Sequence, residues 1–131
     1  MTYLIDSDWV VDYLKGRPDA TALVKELRPD GIAISAVTLG EVYQGVFYGT
    51  DRKNDELMLR RFLIGTRILP VNRYVARRFA IMRGLLHHAG QGIGDLDTLI
   101  AATALHHDLT LVTRNLRHFQ RIPDLKLYEP R

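Results

Sequence analysis

Apolar residues in this chain fall into short uniform runs, and longer stretches with helical spacing lie between them. Tyr3-Leu4-Ile5, Ile32-Ala33-Ile34, Ile68-Leu69 and Leu109-Thr110-Leu111-Val112 are the runs. Brief apolar segments bounded by turn residues suit strands buried on both faces. Lys126-Leu127-Tyr128 reads as a last strand. The intervening segments read as helices over 8–15 and 20–28, parted by Gly16-Arg17-Pro18, then from after Ser35 to about Tyr48, and over 53–64. Further helices are expected over 73–88, 95–107 and 115–120. Pro29-Asp30-Gly31 is a turn signal, and Ser35 is a good N-cap. In 53–64, Leu57, Phe62 and Leu63 are the core candidates. In 73–88, Val75, Phe79, Met82 and Leu86 share a face, with Arg73, Arg77, Arg78 and Arg83 mostly off it. Residues 90–94 form a glycine-rich loop.

Strands alternating with helices predict an α/β fold, a largely parallel sheet covered by helices. In such folds the functional site lies beyond the carboxyl ends of the strands. That expectation gives meaning to four acids scattered along the sequence. Asp6 ends the first apolar run, and Glu41 sits within a largely apolar helix. Asp95 and Asp97 open the helix that carries Leu99-Ile100-Ala101-Ala102. All four are expected at one sheet edge. Carboxylates are costly to bury unless protonated, paired or bound to a cation. An all-oxygen donor set suits Mg²⁺ or Mn²⁺, whose common use is phosphate-ester chemistry. Two residues apart, Asp95 and Asp97 cannot face the same way on a helix. Asp97 is therefore assigned to the metal and Asp95 to a cap or supporting role. Asp8 is read as a helix cap more readily than Asp6. Gly40 and Gly45 are read as allowing close backbone approach beside Glu41.

Charge sharpens this reading. The net charge is +3, but residues 1–65 hold 8 Lys/Arg against 10 Asp/Glu, and residues 66–131 hold 10 against 5. The basic half is rich in arginine, which forks onto phosphate and stacks on bases; a polyanionic substrate would meet both acids and arginines. The histidine pairs 87–88 and 106–107 are placed at helix ends, where imidazolium suits the dipole. With no cysteine, disulfides, thiolate zinc and thiol catalysis are excluded. The chain is long enough for one domain over 1–131. Its start lacks the basic flank and apolar core of a secretory signal, and no apolar stretch nears the ~20 residues of a membrane span. A cytoplasmic protein with no membrane association is expected.

Four stretches then carry a resemblance. They are Leu4-Ile5-Asp6-Ser7-Asp8, the segment from Ile34 to Glu41, the segment from Asp97 to Ala104, and Leu111-Val112-Thr113-Arg114-Asn115-Leu116-Arg117-His118-Phe119. In this order the chain resembles the PIN-domain nucleases, specifically the VapC-type ribonuclease toxins of toxin–antitoxin systems. The resemblance implies a three-layer α/β/α sandwich and a Mg²⁺- or Mn²⁺-dependent endoribonuclease, with Asp6, Glu41 and Asp97 as metal ligands. It adds Asn115 to the catalytic set. Ser7, Thr113 and Asp95 are implied as supporting residues, and Arg114 and Arg117 as contacts to the RNA backbone. Two departures are visible: Asn115 stands where many relatives have a fourth acid, and His118 where an Asp often precedes the Phe. One or two metals are both open on this pattern. The implied partners are an RNA substrate, a small antitoxin protein, operator DNA through that antitoxin, and a second copy of the chain. Tyr43, Phe47 and Tyr48 could form a dimer or partner surface, or pack in the core.

Two rival functions remain on the sequence. Asp6-Ser7-Asp8-Trp9-Val10 fits the nucleophile motif of haloacid-dehalogenase-type phosphatases, but no lysine lies between Lys53 and Lys126 to precede a late acidic motif at Gly94-Asp95. The missing fourth acid leaves room for a catalytically weak PIN fold that binds RNA or an antitoxin.

Overall fold

The computed structural model describes residues 1–130. Four parallel strands form the centre: β1 (Tyr3–Ile5), β2 (Ile32–Ser35), β3 (Thr66–Leu69) and β4 (Thr110–Val112), in the order β3-β2-β1-β4. Seven helices connect and cover them: α1 (Ser7–Leu14), α2 (Pro18–Leu27), α3 (Ala36–Phe47), α4 (Arg52–Leu63), α5 (Arg73–His88), α6 (Asp95–His106) and α7 (Leu116–Phe119). The fold is the α/β sandwich with a parallel central sheet that the alternating pattern anticipates.

Neighbouring strand residues serve opposite layers, as the two-residue repeat of a strand requires. Ile5, Ile32, Ile34 and Val112 enter one core with Trp9, Val10 and Leu14 of α1, Leu23, Val24 and Leu27 of α2, Val42 and Val46 of α3, and Leu59 and Phe62 of α4. Leu4, Ala33, Leu69 and Leu111 enter the other with Val75, Met82 and Leu86 of α5, Ile100 to Ala102 and Ala104 of α6, and Phe119 and Ile122. The α5 stripe is as expected, and its four arginines are exposed. In α4, Phe62 is fully buried but Leu57 faces solvent. Asp55 takes a buried position on that helix instead, ion-paired with Lys15 of α1 at 2.8 Å.

The termini of elements explain most of the remaining differences. Gly31 adopts φ +86°, and a Cβ there would come within 2.7 Å of the Met1 backbone. The Pro29-Asp30-Gly31 turn is thus closed around the start of β1, and Thr2 donates to the Gly31 carbonyl. α1 starts at Ser7 because Asp6 caps it, its Oδ1 accepting the Ser7 N–H at 2.8 Å. Residues 126–128 make a single parallel bridge, Leu111 to Leu127, rather than a full strand. Gly40 and Gly45 meet nothing within 4 Å where a side chain would begin, so close approach is not their role.

The strand order fixes where a site can form. The chain leaves β1 towards β2 and β3 on one side, and β4 lies on the other. The crevice where the winding direction changes therefore opens between the carboxyl ends of β1 and β4. Asp6 follows β1 and Thr113 follows β4. Among the described residues, no helix is long and apolar enough to cross a membrane.

Candidate active site

Each acid reaches the crevice on a different element. The Asp6 carboxylate is buried, 5% exposed. Its Oδ1 accepts from the Ser7 N–H and its Oδ2 from the Thr113 hydroxyl at 2.7 Å, across the gap between β1 and β4. Asp8, in the first turn of α1, accepts the Trp9 N–H at 2.7 Å on Oδ1 and the Arg114 N–H at 2.9 Å on Oδ2. Thr113 also lies 3.4 Å from Asp8 Oδ2. Glu41 arrives on α3, which begins at the carboxyl end of β2 where the Ser35 hydroxyl accepts the Thr38 N–H at 2.9 Å. Asp97 arrives on the first turn of α6.

Electrostatics show that these groups share one space. Burial raises the Asp6 carboxyl from 3.8 to about 7, with Asp8 and then Asp97 adding to the rise and the Thr113 and Ser7 hydrogen bonds opposing it. Burial also raises Glu41, opposed by the neighbouring Ser7 hydroxyl and reinforced by the charges of Asp97 and Asp8. Asp8 is raised by burial against the pull of the Arg114 and Trp9 N–H groups. Four carboxylates from α1, its cap, α3 and α6 thus face one another. Glu41 Oε1 is buried and accepts no hydrogen bond. Leaving such an oxygen unpaired costs free energy.

Around this group the other candidates take different positions. Asn115 donates its N–H to the Thr113 hydroxyl at 3.0 Å, and its side chain meets His118 Nδ1 at 2.9 Å. His118 Nδ1 lies 3.7 Å from Asp97 Oδ2. Asp95 turns outward to Arg83 at 2.9 Å, so it does not supply the acid that Asn115 lacks. The Arg114 guanidinium is engaged by two acids, Asp12 and Asp19, while Arg117 is exposed. Asp8, read as a cap, belongs to the acidic group; its spacing of two from Asp6 was the available signal. Nothing in the sequence pattern pointed to Asp12 or Asp19.

A PIN domain family model matches residues 3–125. The chain belongs to the PIN domain family. Among the curated relatives of this PIN domain, Ribonuclease VapC19 of Mycobacterium tuberculosis is 36% identical over 125 residues, covering 94% of this chain and 96% of its own. Ribonuclease VapC2 of Rickettsia felis is 32% identical over 129 residues, covering 97% and 96%. The crystal structure of VapBC2 from Rickettsia felis, bound to a DNA fragment from their promoter, superposes with a TM-score of 0.91 at 28% identity, covering both chains completely. The VapC-type resemblance read from the four sequence stretches therefore holds, and the phosphatase alternative is set aside by family membership.

The donor set suits a hard divalent cation. The acids turned inward offer only carboxylate oxygens, one of which lacks a partner, and burial raises the Asp6 carboxyl to about 7. Among the described residues no three acidic or imidazole groups already close around one point.

Proposed function

We propose that this PIN domain, one folded unit over 1–131, is a Mg²⁺- or Mn²⁺-dependent endoribonuclease and the toxin of a type II toxin–antitoxin pair. The observation that carries the reading is the convergence of Asp6, Glu41 and Asp97 on one crevice, with a buried Glu41 oxygen left unpaired. The names of the VapC ribonucleases support the substrate class, and the VapBC2 complex bound to promoter DNA supports an antitoxin partner, through which operator DNA would be reached.

Asp6, Glu41 and Asp97 are the residues that would hold the cation, which supplies an activated water and offsets charge on the scissile phosphate. The protein's own contribution is positional. Thr113 and Ser7 fix the two oxygens of Asp6 separately, so the carboxylate cannot rotate freely. Burial raises the Asp6 carboxyl to about 7, so it gives up its proton far less readily than an ordinary Asp, and that proton must leave before the oxygen can act as a ligand. Asn115 braces Thr113 and borders Asp97 through His118. Arg117, which is exposed, would meet the RNA backbone.

The partner surface is assigned to α3 and α4. Tyr43, Phe47 and Tyr48 are 38%, 45% and 88% exposed, which excludes core packing as their role. Tyr43 and Phe47 line a cleft of about 510 Å³ with Glu56, Leu59, Arg60 and Leu63. An exposed apolar cleft of this kind marks an interaction site, and a second copy or the antitoxin would occupy it. Light scattering of the isolated chain tests the homodimer, and a monomer at micromolar concentration contradicts it.

Controlled expression in a bacterial cytoplasm tests the toxin reading. Growth arrest with discrete RNA fragments from the wild type, and neither from Asp97→Ala, is the expected result. Unchanged growth and intact RNA with the wild type would contradict it. Asn115 in place of a fourth acid keeps one other reading in view, a catalytically weak module that binds RNA or an antitoxin. Retained RNA binding with no cleavage under either metal would select that reading.

A further inference from the structure

Arg114 is heavily engaged at the rim of the crevice, with Asp12, Asp19 and the Trp9 ring around its guanidinium. Its Nε donates to Asp12 Oδ2 at 2.9 Å, and its Nη2 lies 2.8 Å from Asp12 Oδ2 and 2.8 Å from Asp19 Oδ2. The guanidinium lies 3.6 Å from the centre of the Trp9 ring, and Trp9 is itself buried in the core. Three contacts therefore tie one side chain after β4 to α1 and α2. The same residue's N–H holds Asp8 Oδ2 at 2.9 Å, and the residue before it, Thr113, holds Asp6 at 2.7 Å.

We propose that Arg114 is a positioning residue, a clamp that fixes the 113–114 peptide so that Thr113 and the Arg114 N–H hold Asp6 and Asp8 in register, and not an RNA contact. Nε and Nη2 are held by Asp12 and Asp19, which leaves Nη1 alone to meet a phosphate, and a planar fork shared between two acids over an indole fixes direction as well as distance. The acids are needed for this. Without Asp12 and Asp19 the guanidinium would be free to swing into solvent, and the 113–115 segment would lose its side-chain tie to α1 and α2. Outer-shell partners that orient a metal-binding carboxylate typically alter metal affinity or activity about 10- to 100-fold.

The inference rests on the nuclease reading, and its test separates the two. Arg114→Lys, Arg114→Ala and the double variant Asp12→Asn with Asp19→Asn are compared with wild type in metal-dependent RNA cleavage, after circular dichroism confirms folding. The clamp predicts that all three lose about tenfold in kcat, with KM for RNA nearly unchanged and the half-saturating Mn²⁺ concentration raised. A phosphate contact predicts the reverse pattern: raised KM in Arg114→Ala, rescue by Lys, and lowered KM in the double variant, which frees the cation. Any of those KM changes with kcat intact overturns the clamp. Amide hydrogen exchange at 113–115 supplies an activity-independent measure: faster exchange in the double variant supports the clamp, and unchanged exchange overturns it. A wild type inert with every metal refutes the nuclease reading, and the exchange result then decides the clamp alone.

Discussion

Replacing Asp6 with Asn separates the cost of this carboxylate's charge from its use. Asp6 is almost fully buried, and its carboxyl titrates at about 7 against an ordinary 3.8, roughly 3 pH units lower. At about 1.4 kcal/mol per pH unit, holding it ionised in the metal-free fold costs on the order of 4 kcal/mol. The sign follows from proton counting. Between about pH 4 and pH 7 the folded protein binds a proton that the unfolded chain has released, so raising the pH through that window weakens the metal-free fold. Below the window the penalty is absent, and above it the penalty is complete. Asn carries no charge at any pH and can still accept from Thr113, but its amide nitrogen cannot accept the Ser7 N–H, a loss of about 1 to 2 kcal/mol. The variant is therefore expected to be more stable than wild type by about 2 to 3 kcal/mol at pH 8, and less stable by about 1 to 2 kcal/mol near pH 4.5. Urea unfolding of partner-free protein in EDTA at both pH values measures the difference. Adding Mn²⁺ at pH 8 should stabilise the wild type alone, since only a native site with its charge intact gains from the ligand. A stability difference that is the same at the two pH values, or an Asn variant weaker at pH 8, would refute the reasoning.

Asp97→Asn keeps size and hydrogen-bonding capacity but removes a ligand charge, and it should lower RNA cleavage on the order of 100-fold or more while the unfolding midpoint stays near wild type; cleavage kinetics beside thermal melting check both halves. Thr113→Val deletes the hydroxyl that fixes Asp6 Oδ2, and it should raise the half-saturating metal concentration about 10- to 100-fold, read by metal titration of activity. Phe62→Ala removes a fully buried ring that packs against Tyr13 at 5.3 Å and lies under the Arg28 guanidinium, and it should cost about 3 to 5 kcal/mol in urea unfolding.

The elements were legible because the chain alternates two hydrophobic periods with clear punctuation. Asp6, Glu41 and Asp97 were legible as a group because each follows or opens an apolar segment that the parallel topology carries to one edge. What escaped the sequence was pairing across space. Asp8 looks like an ordinary first-turn acid, and only the return of β4 brings the Arg114 N–H and Thr113 against it. Asp12 and Asp19 are unremarkable helix acids until Arg114 folds onto them. Asp95 was separated from Asp97 by helical spacing, as read, but only the fold shows that it pairs with Arg83 on α5. Leu57 failed as a core residue for a similar reason, since α4 turns Asp55 inward to meet Lys15 and leaves Leu57 in solvent.

The most direct measurement is cleavage of total cellular RNA by the purified protein, freed of any bound partner, in Mg²⁺, in Mn²⁺ and in EDTA, with Asp97→Ala alongside. Discrete fragments that need the metal and vanish in the variant are the predicted result, and their ends would identify the target RNA. Intact RNA under both metals, or fragments that persist in EDTA or in Asp97→Ala, would contradict a metal-dependent ribonuclease centred on these carboxylates.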